Sequence, residues 1–198
     1  MELSAPAARK PLHTRKIELT GYEREDGLYD IEGHLTDERP HAYRMAEGVR
    51  AEGEFMHDLW IRITINREFE VVQSEAAMPT GAFSICHEIA PSFANLAGLR
   101  IGPGWNQKVR ERVGGTNGCT HIVEMLAQIA TTAIQTLWGM QNGDDNKTET
   151  PVSERRSNQI NTCYAYRSDS PMVLKYYPVQ YTGELADVIV KDIDATYS

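Results

Sequence analysis

The chain has 198 residues, 41% of them hydrophobic and 24% charged, the profile of a folded globular protein. Twenty basic against twenty-eight acidic residues leave a net charge of -8, the wrong sign for an electrostatic nucleic-acid footprint. No run approaches the ~18 apolar residues of a membrane span, and the N-terminus lacks a signal peptide's apolar core. Three cysteines, an odd number, do not make a disulfide framework and suit a reducing compartment. The expectation is a cytoplasmic protein with no nucleic-acid or membrane partner.

Residues 1–13 carry two prolines and no periodicity, and read as a flexible lead. From Thr14 the chain reads as strands. Ile17 and Leu19 alternate with polar positions, and Glu25-Asp26-Gly27 supplies a turn. The return strand LYDIEGHLTD places Leu28, Asp30, Glu32, His34 and Thr36 at one parity. A hairpin over about 15–37 follows, and then a charged loop over 38–55. A second hairpin pairs LWIRITI (59–65) with FEVVQSEAAM (69–78) across Asn66-Arg67-Glu68.

After Cys86 the period changes. Short helices are expected over 90–96 and 103–113. The strongest helical pattern runs from Cys119 to Trp138, where Ile122, Met125, Leu126, Ile129, Ala133 and Leu137 recur at i, i+3, i+4 and i+7. A polar stretch over 142–158 reads as a mobile loop. Two late strands, 160–168 and 172–182, are expected to turn at Asp169-Ser170-Pro171. The pattern predicts a single α+β domain over 14–198. Its antiparallel sheet is built from the two N-terminal hairpins and the late strands, packed against a long central helix and shorter helices.

The phrase GCTHIVE carries the most chemistry. A helix N-terminus favours a thiolate at Cys119, and His121 and Glu124 can project from the same first turns. Thiol, imidazole and carboxylate make either a nucleophilic or metal-binding group or a capped, satisfied helix start. Asp58, Cys86, Cys119 and His121 form a donor set chemically suited to zinc or iron. No C-x-x-C knuckle supports it, and His57 and Cys163 are further donors left unassigned. His34, at one parity with Asp30 and Glu32, is a candidate proton carrier or simply part of an exposed strand face.

Five phrases together resemble a bacterial family known as domain of unknown function 2889. They are LHTRKIELTGYEREDGLYDIEGHLTD, HDLWIRITI, ICHEIAPSFANLAGLRIGPGW, VRERVGGTNGCTHIVEMLAQIATTAIQT and CYAYRSDSPMVLKYYPVQY, spanning about 12–180. The resemblance implies a bacterial cytoplasmic protein and no established reaction. The family's late cysteine phrase reads C-H-A, where this chain has Cys163-Tyr164-Ala165.

A fainter topological similarity is to U-type iron–sulfur cluster scaffolds. It rests on His57-Asp58 before a strand, Cys86 at a strand-to-helix turn and Cys119/His121 at the long helix. Met56 and His57 stand where the scaffold has its first cysteine.

Two function classes follow. One is a small-molecule enzyme of lyase or hydrolase type, on an aromatic or acyl substrate, with Cys119, His121, Glu124 and His34 as candidate catalytic residues. The other is a non-catalytic metal or iron–sulfur module. The sequence leaves open whether the protein is a homo-oligomer.

Overall fold

The computed structural model describes residues 3–142 and 151–183. Two compact units divide the chain, Met1–Met140 and Gln141–Ser198, where the sequence alone reads as one domain from 14 onward. The expected mobile loop over 142–158 and the C-terminal stretch fall partly outside the described residues.

Alternation in the first unit produces two long hairpins. Strand β1 (Thr14–Glu23) pairs with β2 (Tyr29–Glu38), and β5 (His57–Ile65) pairs with β6 (Val71–Thr80). They join through β2 and β5 into an antiparallel sheet of order β1-β2-β5-β6. Between them, inside the expected loop, the short strands β3 (Tyr43–Met45) and β4 (Gly48–Arg50) make a small hairpin of their own. At the β5–β6 turn the Asn66 side chain accepts from the Glu68 and Glu70 amides at 3.1 and 2.9 Å. That turn holds Phe69 at φ 63, so β6 starts two residues later than alternation suggests.

The period of two separates the faces of the sheet. Tyr29, Ile31, Leu35, Leu59, Ile61, Ile63 and Ile65 are all buried on one face. Over it lies α2 (Thr120–Asn142), whose Ile122, Met125, Leu126, Ile129 and Ala133 complete the core. Gly33 and Gly21 record how close the helix comes. A Cβ on Gly33 would stand 3.0 Å from Met125 Sδ and 3.1 Å from Ile129 Cδ1, and one on Gly21 would overlap the Thr136 hydroxyl. The helix therefore crosses from the end of β2, past Gly33, toward β1.

Helix α1 (Trp105–Val113) forms inside the range expected for it. The segment expected to hold a helix over 90–96 is instead part of a run of 3-10 turns, Ser84–Leu96, with Pro91 inside it. Pro91 lacks the amide hydrogen that a regular helix would use there.

The late strands do not form. Residues 158–166 fold as turns, with Asn161 at φ 63, and α3 (Pro171–Tyr176) replaces the second strand. Ser170 Oγ accepts from the Val173 amide at 3.2 Å and Pro171 takes the first helical position. That cap and the preset proline φ outweigh the strand propensity of Val173 and the two tyrosines. The α+β class therefore rests on a four-stranded sheet made by the N-terminal hairpins alone.

Candidate functional site

One row of residues across three strands builds the site. Arg15 of β1 faces Asp37 of β2, which faces His57 of β5. All three stand at the parity of Leu35 and Leu59, so the row continues the apolar face at its open end. Asp37 is 1% exposed and His57 is 7% exposed.

A carboxylate so buried needs partners. Asp37 Oδ1 accepts from Arg15 Nε at 2.8 Å and from His13 Nε2 at 2.9 Å, while Oδ2 accepts from Arg15 Nη2 and His57 Nδ1, both at 2.8 Å. Burial pushes the carboxyl up, but the hydrogen bonds from Arg15 and His57 outweigh it and hold Asp37 at about 2. Asp37 is thus ionised at neutral pH, and a ring nitrogen bonded to it must carry the proton. His57 is fixed with its hydrogen on Nδ1, leaving the Nε2 lone pair free in the neutral ring.

The first turn of α2 closes over this row. Cys119 accepts the Val123 amide on its carbonyl at 2.9 Å, the position that opens the helix. The next residue but one, His121, brings its ring to 4.1 Å from the His57 ring, centroid to centroid, with its Nδ1 3.7 Å from Cys119 Sγ. Burial, then the neighbouring His57 and the Arg15 charge, push His121 below the usual imidazole value and favour its neutral form. Glu124 sits on the rim, exposed, its Oε2 4.0 Å from Arg15 Nη1.

The other residues singled out from sequence lie elsewhere. Alternation puts His34 and Asp58 on the opposite face of the sheet from His57. There Asp58 Oδ1 accepts from His34 Nε2 at 2.8 Å and Trp60 Nε1 at 3.1 Å, and the His34 and Trp60 rings stack at 3.7 Å. Of the expected partners of His34, Glu32 pairs with Arg62 and Asp30 with Thr64. Cys86 is half-buried in the 3-10 run, against Gly81, and Cys163 is exposed in the second unit.

Of the four donors expected to hold zinc or iron, only Cys119 and His121 meet. Among the described residues, the group whose ligand atoms all lie within 4.8 Å of one another is Asp37, His57 and His121. It contains neither Asp58 nor Cys86, so the structure lends the scaffold similarity no support.

Sequence reasoning passed over His13, Arg15 and Asp37 and left His57 unassigned. A signal was there: Asp37 shares the parity of Tyr29, Ile31 and Leu35, and His57 that of Leu59, Ile61, Ile63 and Ile65. A polar residue at the end of each apolar stripe marks where two strands aim polar groups at one place.

A family model described as Protein of unknown function (DUF2889) matches residues 13–135. The chain belongs to this family. The DUF2889 match begins at His13 and takes in Arg15, Asp37, His57, Cys119, His121 and Glu124, so the whole cluster lies within it. No curated protein and no solved structure matches the chain. Among the described residues, no helix is long and apolar enough to cross a membrane.

Proposed function

We propose that this protein is a cytoplasmic small-molecule enzyme of hydrolase or lyase type, whose chemistry is proton transfer at the His57–His121 pair. The observation that carries the reading is the Asp37–His57 contact, 2.8 Å long and buried, beside a second imidazole that has a thiol within reach.

Asp37 supports His57 as a general base in two ways. It fixes the ring orientation and tautomer, and it stabilises the imidazolium that forms when Nε2 takes a proton. His121, favoured neutral, is the partner able to exchange a proton with Cys119. In a hydrolase reaction on an acyl compound, Cys119 is the nucleophile and His121 its base. In a lyase reaction, His57 takes a proton from the carbon beside a carbonyl as the bond to the leaving group breaks, and the His57 imidazolium gives that proton to the departing group.

A metal centre is the second reading, favoured by the clustering of Asp37, His57 and His121 within 4.8 Å. Zinc or iron would be held by the two imidazoles, with Asp37 serving behind His57 as the carboxylate that orients a ligand. Direct ligation by Asp37 is disfavoured, because four donors already fill its two oxygens.

The test is a turnover screen on activated esters, thioesters and β-hydroxyacyl compounds, with elemental analysis of the same tag-free preparation. The proposal expects turnover that falls by about 10²–10⁴ in His57→Gln. Turnover indifferent to both His57→Gln and His121→Gln would contradict it. One equivalent of zinc or iron, lost in both variants, would move the account to the metal reading.

A further inference from the structure

The first two turns of α2 have a second face. His121, Ile122 and Met125 turn toward the sheet, whereas Thr120, Val123, Glu124 and Ala127 line a groove shared with α1. Its volume is about 480 Å³, within the roughly 300–1,000 Å³ of small-molecule sites. Val109 of α1 joins Val123 and Ala127 as an apolar floor, and Arg110 stands beside it.

The charges in the groove are unequal in their commitments. The Glu124 carboxylate lies 4.0 Å from Arg15, the same guanidinium that clamps Asp37. The Arg110 guanidinium is exposed and enters no ion pair among the described residues. One exposed arginine lining a groove with an apolar floor suits a single planar carboxylate, which its guanidinium can receive through two parallel N–H···O bonds. A dianion would gain little more from one cation and would face Glu124 as well.

We infer that this groove is a substrate subsite for a small monocarboxylate with an apolar body, its carboxylate held by Arg110. The inference rests on the proposed enzyme reading, because the groove shares the opening turn of α2 with Cys119 and His121. The substrate would lie along the helix with its reacting end toward that turn.

The test is binding of benzoate, followed by ¹⁵N-resolved NMR, with benzamide as the neutral isostere and phenyl phosphate as the dianion. The expected result is that benzoate shifts the Val123 and Ala127 amides and the Arg110 side chain. Arg110→Gln should weaken benzoate about tenfold, the loss of a charge-assisted contact, and remove its advantage over benzamide. Binding should persist in His57→Gln, which separates the subsite from the chemistry. Failure of the turnover screen with Arg110-dependent benzoate binding would sink the enzyme reading and the substrate role with it, and keep only a carboxylate-binding groove. Benzoate binding unchanged in Arg110→Gln, shifts confined to another surface, no shifts at all, or tighter binding of phenyl phosphate would overturn the inference.

Discussion

Asp37 stands directly opposite His57 in the ladder between β2 and β5, and its Oδ2 accepts the His57 Nδ1 hydrogen at 2.8 Å. The same carboxylate is gripped from the other side by Arg15, its partner in the β1–β2 ladder. Strand register alone therefore aligns an exposed guanidinium with a buried carboxylate and a buried imidazole in one row. The opening turn of α2 sets His121 and Cys119 against its end.

Breaking that row should cost stability. Asp37→Ala leaves Arg15 without its bidentate partner and His57 without its acceptor. The expected loss is about 1–3 kcal/mol, the range for leaving a buried donor such as the His57 ring N–H unsatisfied, because the exposed Arg15 can turn to water. Urea unfolding of the variant beside wild type measures it, and a loss under about 1 kcal/mol would place the row among exposed pairs.

The pH dependence follows from two depressed values with different consequences. Asp37 is held at about 2, below the 3.8 of a free carboxyl. Its contribution is therefore complete above about pH 4 and is lost as pH falls through 2, worth about 2 kcal/mol. His121 is also held below its free value of 6.5. Here the unfolded chain takes up the proton first, so stability declines as pH falls below 6.5. Urea midpoints from pH 8 to pH 5 should fall for wild type and fall less steeply for His121→Gln. Equal slopes would remove His121 as the cause.

The helix seat makes a packing prediction. A methyl group at Gly33 meets Leu19 Cδ2, Met125 Sδ and Ile129 Cδ1 at 3.0–3.1 Å. Gly33→Ala should destabilise by about 1–3 kcal/mol, as overpacking does. Met125→Ala in the same chain should relieve part of that cost by making room. A thermal-unfolding cycle of the two single variants and the double variant reads the coupling, and additive costs would mean that the contact is not the limiting one.

The two faces of the sheet should behave independently. Asp58→Asn disturbs the Asp58–His34–Trp60 cluster and should change Trp60 fluorescence. It should leave the rate at which iodoacetamide labels Cys119 unchanged, whereas His121→Gln should alter that rate. Peptide mass spectrometry of the labelled cysteines checks both. Equal effects of the two variants on Cys119 would join the faces into one site.

Much of this was legible in the sequence, for definite reasons. Alternation in LYDIEGHLTD and HDLWIRITI reports a half-buried strand directly, and the Ile122-to-Leu137 stripe reports a helix lying on it. Cys119, His121 and Glu124 were legible because helix spacing groups them within one segment.

Asp37 and Arg15 were not, because what joins them to His57 is register across three strands, which no local pattern states. Asp58 and Cys86 were grouped with Cys119 by chain order. The pleat sends Asp58 to the other face, and no three-residue donor group among the described residues includes Cys86. The late segment misled because Val173, Tyr176 and Tyr177 favour strands, while Ser170 and Pro171, together a helix start, read equally well as a turn.

The central claim is that Asp37 holds His57 as a base with its Nε2 lone pair free. The direct measurement is the long-range ¹H–¹⁵N spectrum of the histidine rings at neutral pH, in wild type and Asp37→Asn. The account predicts one His57 tautomer in wild type, with the hydrogen on Nδ1, and its loss in Asp37→Asn. A wild-type His57 with its hydrogen on Nε2, or exchanging between both nitrogens, would contradict it.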